Sequence, residues 1–177
     1  MPADSPDPIV DPAGYQQHLL GLLGNEDPAA VQSGTTASIR ALLEIAGAEA
    51  TVSPEPKEWS VVRCIAHMTD AELVVSGRYR WILAQDAPPL LGYDQDRWVD
   101  ELHDPTEAAE ELLAVFEPLR AANIELWRRT PEDRRDRVGM HAERGPESYD
   151  LTFRLTAGHD RFHLAQAERA LESVRGS

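Results

Sequence analysis

Between Asp150 and Arg175 the charged residues Arg154, Arg161, Glu168 and Arg175 recur every seven positions, the spacing that returns side chains to one side of an α-helix. Wound at about 100° per residue, this stripe faces water. The opposite side carries Thr152, Leu155, Thr156, His159, His163, Gln166, Ala170 and Val174, with Phe162 at its edge. Two imidazoles and a carboxamide therefore occupy the middle of a face that packing would fill with aliphatic residues, where each left without a partner costs on the order of 1–3 kcal/mol. His159 and His163 are four residues apart, one turn above the other, and point at the same place, which is how one helix supplies two ligands to a metal. Spacing alone is weak, since six histidines produce such a pair by accident about one time in six. Its position on the inward stripe makes it a candidate site.

Three further amphipathic segments precede this one. Asp27-Pro28 starts a helix by capping and by placing proline in the first turn; Val31, Thr35, Ile39, Leu42, Leu43 and Ala46 carry it to about Ala48. Pro54 and Pro56 break it. Ser60 caps a second helix to about Leu83, and Trp59 can staple its entry. On that helix Ser60, Cys64, Ala71, Val74 and Arg78 lie within about 60° of His67, with Asp70 on the same flank, so His67 is expected to look inward. Ile65, Thr69, Glu72, Ser76 and Arg80 form a mainly polar back. Asp104, Pro105, Thr106 and Glu107 are expected to start a third helix, running to about Arg129 with a kink at Pro118. It offers no inward ligand, though Arg120 and Asn123 are placed to contact a substrate. Residues 84–103 and 130–149 read as long connections; Tyr93 and Trp98 either wall a pocket or cover one end of the fold. His141, in no helical frame, is a further residue that could touch substrate or metal. Residues 1–14, with four prolines among Asp and Ala, read as a mobile arm, and Tyr15–Leu23 as a short helical patch on which His18 has no partner at ligand spacing.

No segment shows a strand pattern, so the chain reads as one all-α domain over residues 15–177, a four-helix bundle. A length of 177 residues suits one domain with a sizeable core. The net charge of −14 argues against a nucleic-acid partner, since no basic surface is available to displace counterions. No apolar run approaches the roughly 18 residues needed to cross a bilayer. With no basic-then-apolar leader pattern at the start and a single cysteine, Cys64, the expected location is the cytoplasm. Cys64 reads as a small buried residue rather than a ligand.

Several pieces, in this order and spacing, resemble the DinB superfamily of four-helix bundles, which includes YfiT-like metal-dependent hydrolases and bacterial thiol transferases. They are Glu58-Trp59-Ser60, His67-Met68-Thr69-Asp70-Ala71-Glu72, the helix end from Arg78 to Leu83, Tyr93-Asp94-Gln95-Asp96-Arg97-Trp98, Arg120-Ala121-Ala122-Asn123, and His159-Asp160-Arg161-Phe162-His163-Leu164-Ala165-Gln166. The resemblance covers roughly residues 15–172. It implies an up-down-down-up arrangement with a long crossover, a homodimer, and three histidine ligands that fall on His67, His159 and His163, the positions already selected by winding the helices.

Three neutral imidazoles leave a divalent ion with an open position, the arrangement of a catalytic site. Zinc or nickel is expected, other first-row metals being compatible with nitrogen ligation. Such a site suits hydrolysis of an ester or amide, or transfer of a low-molecular-weight thiol bound at the open position. Asp70, Gln166 and Asp160 are the candidate general bases or supporting groups; Asp160, about 100° from His159, ranks below the other two. The expected partner is a small-molecule substrate. The alternative from a different class is a stress-response module that binds a metal or ligand without turnover.

Overall fold

The computed structural model describes residue 6 and residues 10–176. Among the described residues six α-helices and three short strands follow in chain order: α1 (Pro12–Leu23), α2 (Pro28–Ala46), α3 (Val61–Ala84), β1 (Pro89–Leu90), α4 (Gln95–Leu102), α5 (Ala109–Arg129), β2 (Val138–His141), β3 (Gly145–Ser148) and α6 (Tyr149–Gly176). The helix starts follow from local chemistry. Asp11 accepts the N–H of Gly14, Asp27 that of Ala29, and Ser60 that of Arg63, each satisfying a donor that the first turn leaves free. Of the arm expected over residues 1–14, residues 12–14 belong to α1, and residues 1–5 and 7–9 lie outside the described residues.

α2, α3, α5 and α6 form a four-helix bundle in which α2 and α3, consecutive in sequence, sit across the diagonal. Side-chain bonds fix the directions. Gln32 donates to the carbonyl of Phe153, and Arg175 to that of Ile45, so α2 runs parallel to α6. Arg40 pairs with Glu117 while Arg120 reaches the carbonyl of Gln32, so α5 runs against α2. His67 meets His159 while Tyr79 bonds Thr156, so α3 runs against α6. The order is therefore up-down-down-up. Because α3 and α5 are parallel, the chain must travel back along α3, roughly 36 Å at 1.5 Å per residue, before α5 begins. Residues 85–108, with β1 and α4, are that crossover.

Two expectations are corrected here. The connections do contain strands: β1 pairs parallel with β2, and β2 antiparallel with β3, as a hairpin with Gly139 opposite Glu147 and His141 opposite Gly145. These strands are two to four residues long and include Gly and Pro, too short to show a period of two. The third helix starts at Ala109, not Asp104. Asp104 turns its carboxylate onto the N–H and hydroxyl of Thr106, closing a local turn, and the helix entered at Ala108 has no side-chain cap. It then continues through Pro118 to Arg129. The mainly polar back of α3 is inside the bundle. Ile65, Thr69, Glu72 and Ser76 are all buried, packed against α5.

That interface is held by matched polar groups. Arg120, buried on α5, forms ion pairs with Glu72 of α3 and Asp160 of α6. Asn123 donates to Glu72 at 2.7 Å and accepts from Ser76 at 3.1 Å. Arg120 and Asn123 are thus engaged inside the bundle rather than offered to a substrate. A charge so buried is tolerable only when paired. Around this layer lie two apolar clusters, one built on Ile39, Ile65, Met68, Leu113 and Phe116, the other on Tyr79, Trp127, Tyr149 and Phe153. α1 lies outside the bundle, on α6. Its backbone crosses so closely that a Cβ on Gly158 would stand 2.1 Å from the carbonyl oxygen of Leu19.

Candidate metal centre

His67 on α3 and His159 and His163 on α6 converge. One ligand nitrogen from each lies within 4.8 Å of the others, and the ring centroids are 4.3–5.0 Å apart. The antiparallel pairing of α3 and α6 produces this, because it sets position 67 beside the turn that carries 159 and 163 together. The indole of Trp59, just before α3, packs against the rings of His67 and His163 at 5.1 and 6.1 Å. Phe162 meets His163 edge-on at 4.8 Å. These rings hold the imidazoles in an apolar shell.

Burial pushes His67 and His163 well below the ordinary histidine range, and each is disfavoured further by its imidazole neighbours. Burial likewise pushes His159 down to about 4. All three are therefore neutral near pH 7, with lone pairs available. The Nδ1–H of His163 donates to Oε1 of Gln166, which leaves its Nε2 as the lone-pair nitrogen, buried and without a partner. The Nε2 atoms of His67 and His159 stand 3.0 Å apart. Two nitrogens each about 2.1 Å from a shared zinc at the tetrahedral angle lie ~3.4 Å apart, so a small outward movement admits an ion. The donor set and the orphaned nitrogen fit a divalent metal.

The other sequence candidates separate. Gln166 touches the centre through His163. Asp70 points instead to His103, which bridges it to Glu107 with nitrogen–oxygen distances of 3.0 and 2.7 Å. Asp160 faces Arg120 and accepts from Thr35 at 2.7 Å, away from the imidazoles. Cys64 is fully buried outside the histidine cluster, its thiol pushed up to about 12 by burial. Trp98 packs tilted on Tyr93 with ring centroids 4.5 Å apart, and Tyr93 walls the cavity described next.

His67 and His159 open onto a cavity of about 290 Å³ between α1, α3, α6 and the crossover. Arg78, Tyr93, His141 and Arg144 also line it. Sequence reasoning left His103 unnoticed, since it lies at a helix end with no periodic frame. It placed Arg78 on the His67 side of α3 without seeing that the β2–β3 hairpin closes the cavity above it.

No helix among the described residues is long and apolar enough to cross a membrane. The sequence is 24% identical over 119 residues, 67% of this chain and 68% of the relative, to a protein of Oceanobacillus iheyensis named as a putative metal-dependent hydrolase. The fold matches that of YfiT from Bacillus subtilis with a TM-score of 0.74 at 18% identity, covering 99% of this chain and 93% of that one. YfiT is described as a probable metal-dependent hydrolase with an unusual four-helix bundle topology. The model of the DinB superfamily matches residues 33–167. With three quarters of its length inside that match and the bundle topology to go with it, this chain belongs to the DinB superfamily.

Proposed function

We propose that the chain is a metal-dependent hydrolase acting on a small molecule, with His67, His159 and His163 as ligands of a divalent ion, zinc or nickel. The observation that carries this reading is the meeting of three neutral imidazoles from two helices, two of them on the wall of a cavity. A divalent ion held by three imidazoles keeps an open position, at which it lowers the pKa of water and polarises a carbonyl. The protein's own groups do the rest. Gln166 holds the tautomer and orientation of His163. Trp59 and Phe162 exclude water from the buried side of the rings. The cavity admits the substrate from the His67 and His159 side. In hydrolysis water supplies the hydroxyl that joins the acyl carbon, the carbon–oxygen or carbon–nitrogen bond breaks, and the leaving group departs with the proton.

The test is metal-loaded protein assayed on short-chain esters, with and without a low-molecular-weight thiol and an electrophile. Ester turnover abolished by chelation and by His67→Ala supports hydrolysis. Product formed only when thiol and electrophile are both present assigns thiol transfer instead. Saturable binding with no product in either arm contradicts an enzymatic role.

A further inference from the structure

The cavity beside the histidines holds a buried guanidinium that no carboxylate among the described residues pairs with. Arg78 is 6% exposed. Its Nη2 donates to the carbonyl of Leu91, its Nε is buried without a partner, and among the described residues it takes part in no ion pair. A peptide carbonyl satisfies a hydrogen bond but does not neutralise a guanidinium. The neighbouring cation, Arg144, is paired with the fully buried Glu147, which also accepts from Gln16 at 2.8 Å. Glu147 is therefore already occupied. His141, 3% exposed, adds a second unmatched group. Its Nδ1 accepts the N–H groups of Glu143 and Arg144 at 3.2 and 3.4 Å, so the ring proton resides on Nε2, which has no partner. Arg78, His141 and Arg144 all line the same cavity as His67 and His159.

Elsewhere this chain pairs its buried arginine fully: Arg120 has two carboxylates. A buried guanidinium without one is costly, and such unmatched charge in a cleft marks a binding site. We infer that Arg78 and His141 form an anion-binding subsite that takes a carboxylate of the substrate while its reacting group lies against His67 and His159. This deepens the hydrolase reading and rests on it for the position of the reacting group. One unpaired guanidinium matches a monoanion. Asp94, Asp96 and Glu143, also on the cavity wall, oppose a dianion such as phosphate. Val74, Val75 and Leu155 supply apolar wall suited to a short carbon chain between the two ends, and the volume is at the small end of ligand sites.

The test compares zinc-loaded protein on mono-p-nitrophenyl succinate and on p-nitrophenyl butyrate, esters of equal chain length that differ in the terminal carboxylate. The expected result is a kcat/KM at least about tenfold higher for the anionic ester, a preference expressed mainly in KM. That preference should collapse toward unity in Arg78→Gln, survive in part in Arg78→Lys, and shrink in His141→Gln. Because the preference is a ratio within one preparation, loss of folded protein cancels. Calorimetric titration of monomethyl succinate into metal-free wild type and metal-free Arg78→Gln reads the subsite without turnover. If neither ester is hydrolysed but monomethyl succinate binds wild type about tenfold more tightly, the hydrolase reading fails and the subsite stands. If both esters turn over equally and Arg78→Gln binds monomethyl succinate as wild type does, the subsite is overturned and the hydrolase reading stands. Inorganic phosphate binding more tightly than the monocarboxylate at Arg78 would overturn the assignment to a carboxylate.

Discussion

The Nδ1–H of His163 donates to Oε1 of Gln166 across 2.9 Å, from one turn of α6 to the next. This single bond fixes which nitrogen of His163 faces His67 and His159. Gln166→Leu removes the acceptor and frees the ring to flip or change tautomer, so zinc affinity should fall by about 10- to 100-fold. Competition against a chromophoric chelator measures it. Gln166→Glu keeps an acceptor and should retain most of the affinity.

Gly158 lets the backbone of α1 rest on α6 one residue before His159. Gly158→Ala places a methyl group against backbone, which cannot yield as a side chain can, so a loss of about 1–3 kcal/mol is expected, or roughly 2–10 °C in Tm for a chain of this size. Gly21, on α1, is the control, since a Cβ added there would have nothing within 4 Å. Gly21→Ala should raise stability by about 0.5–1 kcal/mol through helix propensity. Thermal unfolding of both variants separates a steric cost from a general effect of replacing glycine.

Asp160 sits beside a candidate ligand in sequence, yet its carboxylate serves Arg120 and Thr35. Arg120→Met leaves both Glu72 and Asp160 buried without a counterion and should cost about 3–5 kcal/mol. Asp160→Asn should likewise lower Tm while zinc stoichiometry at low temperature stays near that of wild type. Loss of metal from a folded Asp160→Asn protein would instead give this residue a direct part in the centre.

The four bundle helices are legible in the sequence because each carries an apolar stripe at a period of 3.6, and winding α3 and α6 turns His67, His159 and His163 inward. The hidden parts are those that periodicity does not encode. Glu72 and Ser76 read only as part of a polar back until Arg120 and Asn123, contributed by another helix, are set opposite them. β1, β2 and β3 are held by backbone pairing and the hairpin turn, not by an alternating pattern. His141 owes its burial to that hairpin. His103 could not be linked to Asp70 without the crossover that brings α4 back over α3.

His103 gives the structure a pH-dependent tie. Burial opposes its charged form, but hydrogen bonds to Glu107 and Asp70, and the charges of both, outweigh that and raise its pKa above the ordinary value of 6.5. A histidine raised on folding stabilises the native state fully below the unfolded value, and the contribution is lost as pH rises through the folded one. The lower limit of the window is where Asp70, itself raised by burial, takes up a proton. The Tm difference between wild type and His103→Gln should therefore be largest near pH 6 and shrink toward pH 9. A difference that stays constant over that range would show that His103 acts through packing alone.

The most direct measurement is anomalous diffraction at the zinc edge from crystals of the zinc-loaded protein. The expected result is one peak per chain within about 2.1 Å of a ring nitrogen from each of His67, His159 and His163, absent in His67→Ala crystals grown the same way. Zinc-loaded crystals with no peak at these three rings, or with the ion held by another group of side chains, would contradict the metal centre.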